Sequence, residues 1–155
     1  MFSVQCSVFS VQCSVFSVQC SVFSVQWALP MFQSFEDLEV WKRSCQLSVR
    51  IYELLSECRD FGLRDQMQRS AVSIASNIAE GAERGGKDFQ RFLKIARGSA
   101  AELRTQCYIA CKINVLTHDQ AIPLVAELKE ISRMLTGLAR SIKLRTEHQT
   151  PDTEH

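Results

Sequence analysis

Four consecutive stretches of this chain repeat apolar residues at steps of three and four, a spacing that suits helices and cannot keep one face of a strand buried. In the last stretch Ile122, Val125, Leu128, Ile131, Leu135, Leu138 and Ile142 line one side. The third, from roughly Lys87 to Asn114, gathers Phe89, Phe92, Ala96, Ala100, Leu103, Cys107 and Ala110 into one arc. Gly62 breaks the chain ahead of the second, which runs from about Arg64 to Glu80 with Met67, Ala71, Ile74 and Ile78 on one face and Gly81 placed to end it. The first, from about Glu36 to Cys58, is apolar on two flanks. Leu38, Trp41, Cys45, Val49 and Tyr52 form one, and Val40, Leu47, Ile51 and Leu54 lie nearly opposite. A helix apolar on both sides needs two partners, one within its own bundle and one on a neighbouring subunit. Val40, Leu47, Ile51 and Leu54 are the candidate subunit contacts, an expectation that fails if a single chain already covers that side. Short links between four amphipathic helices predict an all-α, antiparallel up-and-down four-helix bundle.

Local signals mark the ends. Ser34-Phe35-Glu36-Asp37 and Thr117-His118-Asp119-Gln120 both have the pattern of a capping box, in which a hydroxyl and a side chain three residues on satisfy each other's backbone N–H. Pro123 conflicts with Thr117 as a cap, so the last helix is expected either to begin a turn later or to be locally distorted.

The first thirty residues obey a different rule. From Phe2 the unit Phe-Ser-Val-Gln-Cys-Ser-Val is written three times and begins again at Phe23. A seven-residue period moves the apolar set to the opposite face of a strand in each successive copy, and it places no a/d seam for a coiled coil. Residues 1–30 are therefore expected to be a poorly structured extension. Met31 is the more natural start, residues 31–145 the bundle domain, and 146–155 a polar disordered tail. The unit also reads as tandem-repeat DNA in translation, since the heptanucleotide TTCAGTG cycles through every frame; a gene without that heptamer rules this origin out.

Net charge is only +1. All 18 Lys and Arg nevertheless fall between Met31 and Arg145, against 14 acids there, so this segment carries a surplus of four positive charges. That permits a polyanion partner without demanding one. The third helix places Lys87, Arg91, Lys94, Arg97, Arg104 and Lys112 opposite its apolar arc, with only Asp88 and Glu102 as acids. Arg84, Lys87, Arg91, Lys94 and Arg97 are the candidate phosphate contacts.

Of seven cysteines, three are copies of one repeat position, and the rest sit in helical patterns of a chain with no secretory signal and no membrane-spanning run. Reduced thiols and a cytoplasmic location follow as expectations. Cys107 and Cys111 lie one turn apart, but no His or third Cys has metal-ligand spacing, so they read as small apolar contact residues. The histidines, His118, His148 and His155, face no nucleophile, and Gly81-Ala-Glu-Arg-Gly-Gly lacks the spacing and Lys-Ser/Thr of a P-loop. Neither catalytic residues nor a cofactor or metal site is expected. Asn77 and Glu80, polar residues beside the apolar face of the second helix, are expected to hydrogen-bond helix ends or a neighbouring helix.

These residues occur in a recognisable combination: Asp65-Gln66, Ala71-Val72-Ser73-Ile74, Asn77-Ile78-Ala79-Glu80-Gly81, Phe89, Arg91-Phe92-Leu93, Gly98-Ser99, Glu102-Leu103 and Thr105-Gln106. The chain resembles the bacterial 23S rRNA-intervening-sequence proteins from about Phe35 to Leu144. The resemblance gives Asn77, Glu80, Gly81, Phe89, Phe92, Gly98, Ser99, Glu102 and Gln106 as structural motif positions. It implies a non-enzymatic bundle assembling as a homopentamer, an assembly or adaptor module. It also implies kinship with the basic accessory protein of diversity-generating retroelements, which engages a reverse transcriptase and nucleic acid. RNA, DNA and a reverse transcriptase are thus candidate partners. This chain is less basic than the retroelement proteins and has Ala75 where many members of the family have proline.

Overall fold

A computed structural model describes residues 33–148, and the side chains as far as Arg145. The expectations for the repeat and for residues 149–155 lie outside the described residues. Contacts divide the chain after Gln33, and the bundle belongs to the unit that starts at Ser34.

A 3-10 turn, Phe35–Asp37, precedes four helices: α1 Glu39–Leu54, α2 Phe61–Arg84, α3 Gly86–Lys112 and α4 His118–His148. No strand occurs among the described residues. α3 packs extensively on both α2 and α4, and α1 lies mainly along α2 with a smaller contact to α4. The core is aliphatic, with Met67, Ile74, Ile78, Leu93, Leu103, Leu124, Leu128, Ile131 and Leu135 almost fully buried.

The helix boundaries have local causes. Ser34 does make a capping box, its N–H donating to Asp37 Oδ2 at 3.1 Å, but the box caps the 3-10 turn, and extended Leu38 separates that turn from α1. α2 starts three residues earlier than its apolar pattern, because the Asp60 carboxylate accepts from Leu63 N–H at 3.0 Å and holds Gly62 inside the first turn. α3 ends in a Schellman motif: Val115 N–H donates to Ala110 C=O at 2.8 Å, with Asn114 in the left-handed region at φ 62°. At α4 the Thr117 box is reciprocal, Thr117 N–H to Gln120 Oε1 at 2.9 Å and Gln120 N–H to Thr117 Oγ1 at 3.3 Å. The helix then runs through Pro123 and on to His148, three residues into the segment expected to be tail.

Gly81 corrects its assignment. It does not end α2, which continues to Arg84 and is closed by Gly85 at φ 70°. Its role is a close approach: a Cβ there would lie 2.6 Å from Phe92 Cβ and 3.0 Å from the Phe89 ring. Only a hydrogen fits between α2 and α3 at this point.

The two flanks of α1 exchange roles. Val40, Leu47 and Ile51 are 3%, 3% and 0% exposed, covered by their own chain, and Leu54 is half-buried. They form core and not a subunit contact, so the assembly expectation as attached to them fails. Ser44 and Ser48 share that buried face, donating to Val40 C=O at 2.6 Å and Ser44 C=O at 2.9 Å, and as small residues they let α1 sit close. The flank left unpartnered is the other one, with Val49 58% and Tyr52 49% exposed. On α4, Ile122 likewise points to solvent, while Leu124 takes the core position beside Val125. Arg43 ties α1 to α4 through a two-pronged pair with Glu127, both bonds at 2.7 Å, and Glu127 holds the guanidinium in its charged form.

Gly81→Ala is expected to lower stability by about 1–3 kcal/mol, because forcing apart two packed helices outweighs the roughly 1 kcal/mol of helix propensity gained. Urea unfolding monitored by circular dichroism measures it, and an unchanged or raised midpoint contradicts the contact.

Candidate polyanion-binding groove

The surface chemistry concentrates where α3 and α4 run side by side. On α3, Arg97 and Arg104 are seven residues apart, two helical turns, so both project from one flank. On α4, Lys129, Arg133 and Arg140 follow at steps of four and seven and share a stripe. Between the two rows the lining is short: Ser132, Thr136 and Gly137. Long cationic side chains on both walls over a low floor enclose an open groove of about 620 Å³ with no carboxylate in its lining.

Intramolecular partners leave most of this charge free. Arg97 Nη1 reaches across to Thr136 Oγ1 at 3.4 Å. Arg133 is partly offset by Glu130 one turn back on its own helix. Arg104, Lys129 and Arg140 form no ion pair with any described residue. Like charges placed this close repel one another, and an anion in the groove relieves that repulsion. Lys129 and Arg133 also line an adjoining cavity of about 410 Å³, which Tyr108, Cys111, His118, Ile122, Val125 and Ala126 make largely apolar. The two cavities share Lys129 and Arg133 in their linings, the first cationic and the second largely aromatic-apolar.

Of the five cations expected to contact phosphate, the structure brings only Arg97 into this groove. Arg84 sits at the end of α2, paired with Glu80 at 2.7 Å and lying over the Phe92 ring. Lys87, Arg91 and Lys94 are exposed on the outer surface of α3. Arg104, Lys129, Arg133 and Arg140 were missing from the candidates. Their signal was present as Lys or Arg at four- and seven-residue steps on two neighbouring helices, but it emerges only once α3 and α4 are set against each other.

Most of the motif residues face the α2–α3 contact. Asn77 Nδ2 donates to Ser73 C=O at 2.7 Å and to Ser73 Oγ at 3.0 Å, and Ser73 Oγ meets Ser99 Oγ at 2.9 Å across the helix pair. Asn77 therefore reaches α3 only through Ser73, and Glu80 stays on the surface with Arg84, not with a neighbouring helix. Phe89 is buried against Gly81, with Phe92 half-buried beside it. Gln106 is buried with Nε2 donating to exposed Glu102 at 3.2 Å, and its Oε1 has no partner among the described residues. Gly98 is exposed, and a Cβ there would touch nothing within 4 Å, so packing does not explain glycine at that position. No group of three His, Cys, Asp or Glu is gathered for a metal among the described residues. None of their helices is long and apolar enough to cross a membrane.

Residues 36–137 match the family model described as 23S rRNA-intervening sequence protein. The chain belongs to this family. A crystal structure of a protein of unknown function from the S23 ribosomal protein family, from Bacteroides thetaiotaomicron, has a similar fold, with a TM-score of 0.61 and 28% identity over 64% of this chain and 97% of that one. Neither description names an enzymatic activity. No curated protein matches the sequence.

Burial pushes the Cys107 thiol up to about 11, so it is protonated at neutral pH and sealed in the core. Native chain treated with iodoacetamide at pH 8 should leave Cys107 unmodified until denaturant is added, as read by peptide mass spectrometry; labelling of native protein at that site contradicts the packing of α3.

Proposed function

We propose that the chain is a non-enzymatic, self-assembling helical bundle that serves as an assembly or adaptor module, with a homopentamer as the form its family resemblance implies. The observation behind this reading is the outer flank of α1, where Trp41 and Cys45 are half-buried and Val49 and Tyr52 exposed, with the inner flank already seated. A contiguous apolar stripe along a packed helix favours a protein partner. A copy of the same chain is always at hand as that partner, with occupancy rising with protein concentration. A head-to-tail contact closes a ring when its rotation divides a full turn evenly, and a fifth of a turn gives a pentamer.

Light scattering on the full chain should return a multiple of the protomer mass, and Val49→Lys with Tyr52→Glu should lower it while leaving the helical circular dichroism spectrum intact. A monomer at micromolar concentration, or an assembly indifferent to those changes, contradicts this reading.

The groove between α3 and α4 favours a second reading, a nucleic-acid-binding accessory protein tied to a mobile element or a reverse transcriptase. Five cations with one partial counter-charge suit phosphates. In a ring they would repeat around the axis, so affinity should fall steeply with salt.

A further inference from the structure

We propose that the furrow between α3 and α4 is a binding track for one strand of nucleic acid, with phosphates on the cationic end and an unpaired base stacked on Tyr108. This rests on the polyanion reading above and specifies which polyanion. Three observations select a single strand. The furrow lies between two helices packed directly on each other, whose axes stand about 8–10 Å apart, so its floor admits one sugar-phosphate backbone, and a duplex would meet only the rim.

Its length fits as well. From Ile122 to Arg140 along α4 the rise is about 27 Å, room for a short run of nucleotides and within the range of single-strand sites.

The third observation is the change of chemistry along the track. Lys129 and Arg133 belong to both cavities, so the cations adjoin the apolar end directly. There Tyr108 is 51% exposed with Ile122 open beside it, so the ring is accessible to a ligand at that end. A ring presented next to phosphate-binding cations is what single-strand binders use, because every base has a face to stack while the backbone supplies the charge. A carboxylate-rich peptide would satisfy the cations and leave the ring unused.

The test uses the full chain and fluorescence anisotropy with labelled twelve-nucleotide oligo-U, oligo-dT, and a duplex of mixed sequence and equal length, each across a salt series. Both single strands should bind at least about tenfold tighter than the duplex. Tyr108→Ala should weaken the single strands by roughly tenfold with little change in salt slope, and Tyr108→Phe should retain them. Lys129→Glu with Arg133→Glu should flatten the salt slope. Gly137→Glu should also weaken binding; a Cβ at Gly137 meets nothing within 4 Å, so this change brings a negative charge to the floor without disturbing the core. Equal binding of duplex and single strand with no effect of Tyr108→Ala overturns the strand assignment and leaves the polyanion reading standing. Loss of salt-dependent binding to every nucleic acid, or tighter binding to phosphatidylserine vesicles than to the strands, overturns the assignment and its basis together.

Discussion

The approach of α2 to α3 at Gly81 is the contact on which the other placements depend. Phe92 Cβ occupies the volume a side chain at position 81 would need, and Phe89 closes over the same spot. With these two helices brought together there, the Ser73–Ser99 bond falls into register further along the pair. α3 is then held on one flank by α2 and on the other by α4, and its alanines, Ala96, Ala100 and Ala110, keep both neighbours close. Small residues in α3 cost little in direct burial and are offset by the large aliphatic residues they admit from α2 and α4.

Beyond these two contacts α3 faces solvent, and part of that surface is specialised. The α4 side of α3 carries Arg97 and Arg104, and the facing stripe of α4 answers with cations of the same sign. Nothing in the bundle's own stability calls for that, since like charges across a helix contact repel. α1, by contrast, contacts α4 sparingly and is secured there by the Arg43–Glu127 fork, worth about 1 kcal/mol at this partial exposure. Its second apolar flank remains open. The open apolar flank of α1 and the cationic groove between α3 and α4 thus lie on different helices.

How much of this could be read in advance depended on the range of the interaction. Periodicity recovered all four helices, and the Thr117 box set the start of α4 against the objection of Pro123, whose missing N–H removes one bond near the helix start. Boundaries governed by a single side chain were missed: Asp60 as the cap of α2, and Leu38 extended between the 3-10 turn and α1. Gly81 was recognised as special for the wrong reason, because a glycine at a helix end and a glycine at a helix crossing look alike until Phe92 is in place. The two flanks of α1 were assigned the wrong way round, since apolar residues on either side satisfy the same period. Ser44 and Ser48, which mark the inner flank, resemble surface residues until their hydroxyls are seen returned to the backbone. The cationic groove was half legible. Its α3 row lies in the basic arc of that helix, and its α4 row gains meaning only where Lys129, Arg133 and Arg140 face it across the helix pair.

Native-state hydrogen exchange followed by NMR or mass spectrometry bears most directly on the claim that α3, packed on both α2 and α4, is the central helix and α1 the peripheral one. Amides of α3 between Leu93 and Ala110 should be the slowest in the chain, exchanging only through global unfolding, while α1 in the Val49→Lys/Tyr52→Glu chain opens at lower free energy. Slowest exchange in α1 of that variant, with α3 opening early, would contradict the account.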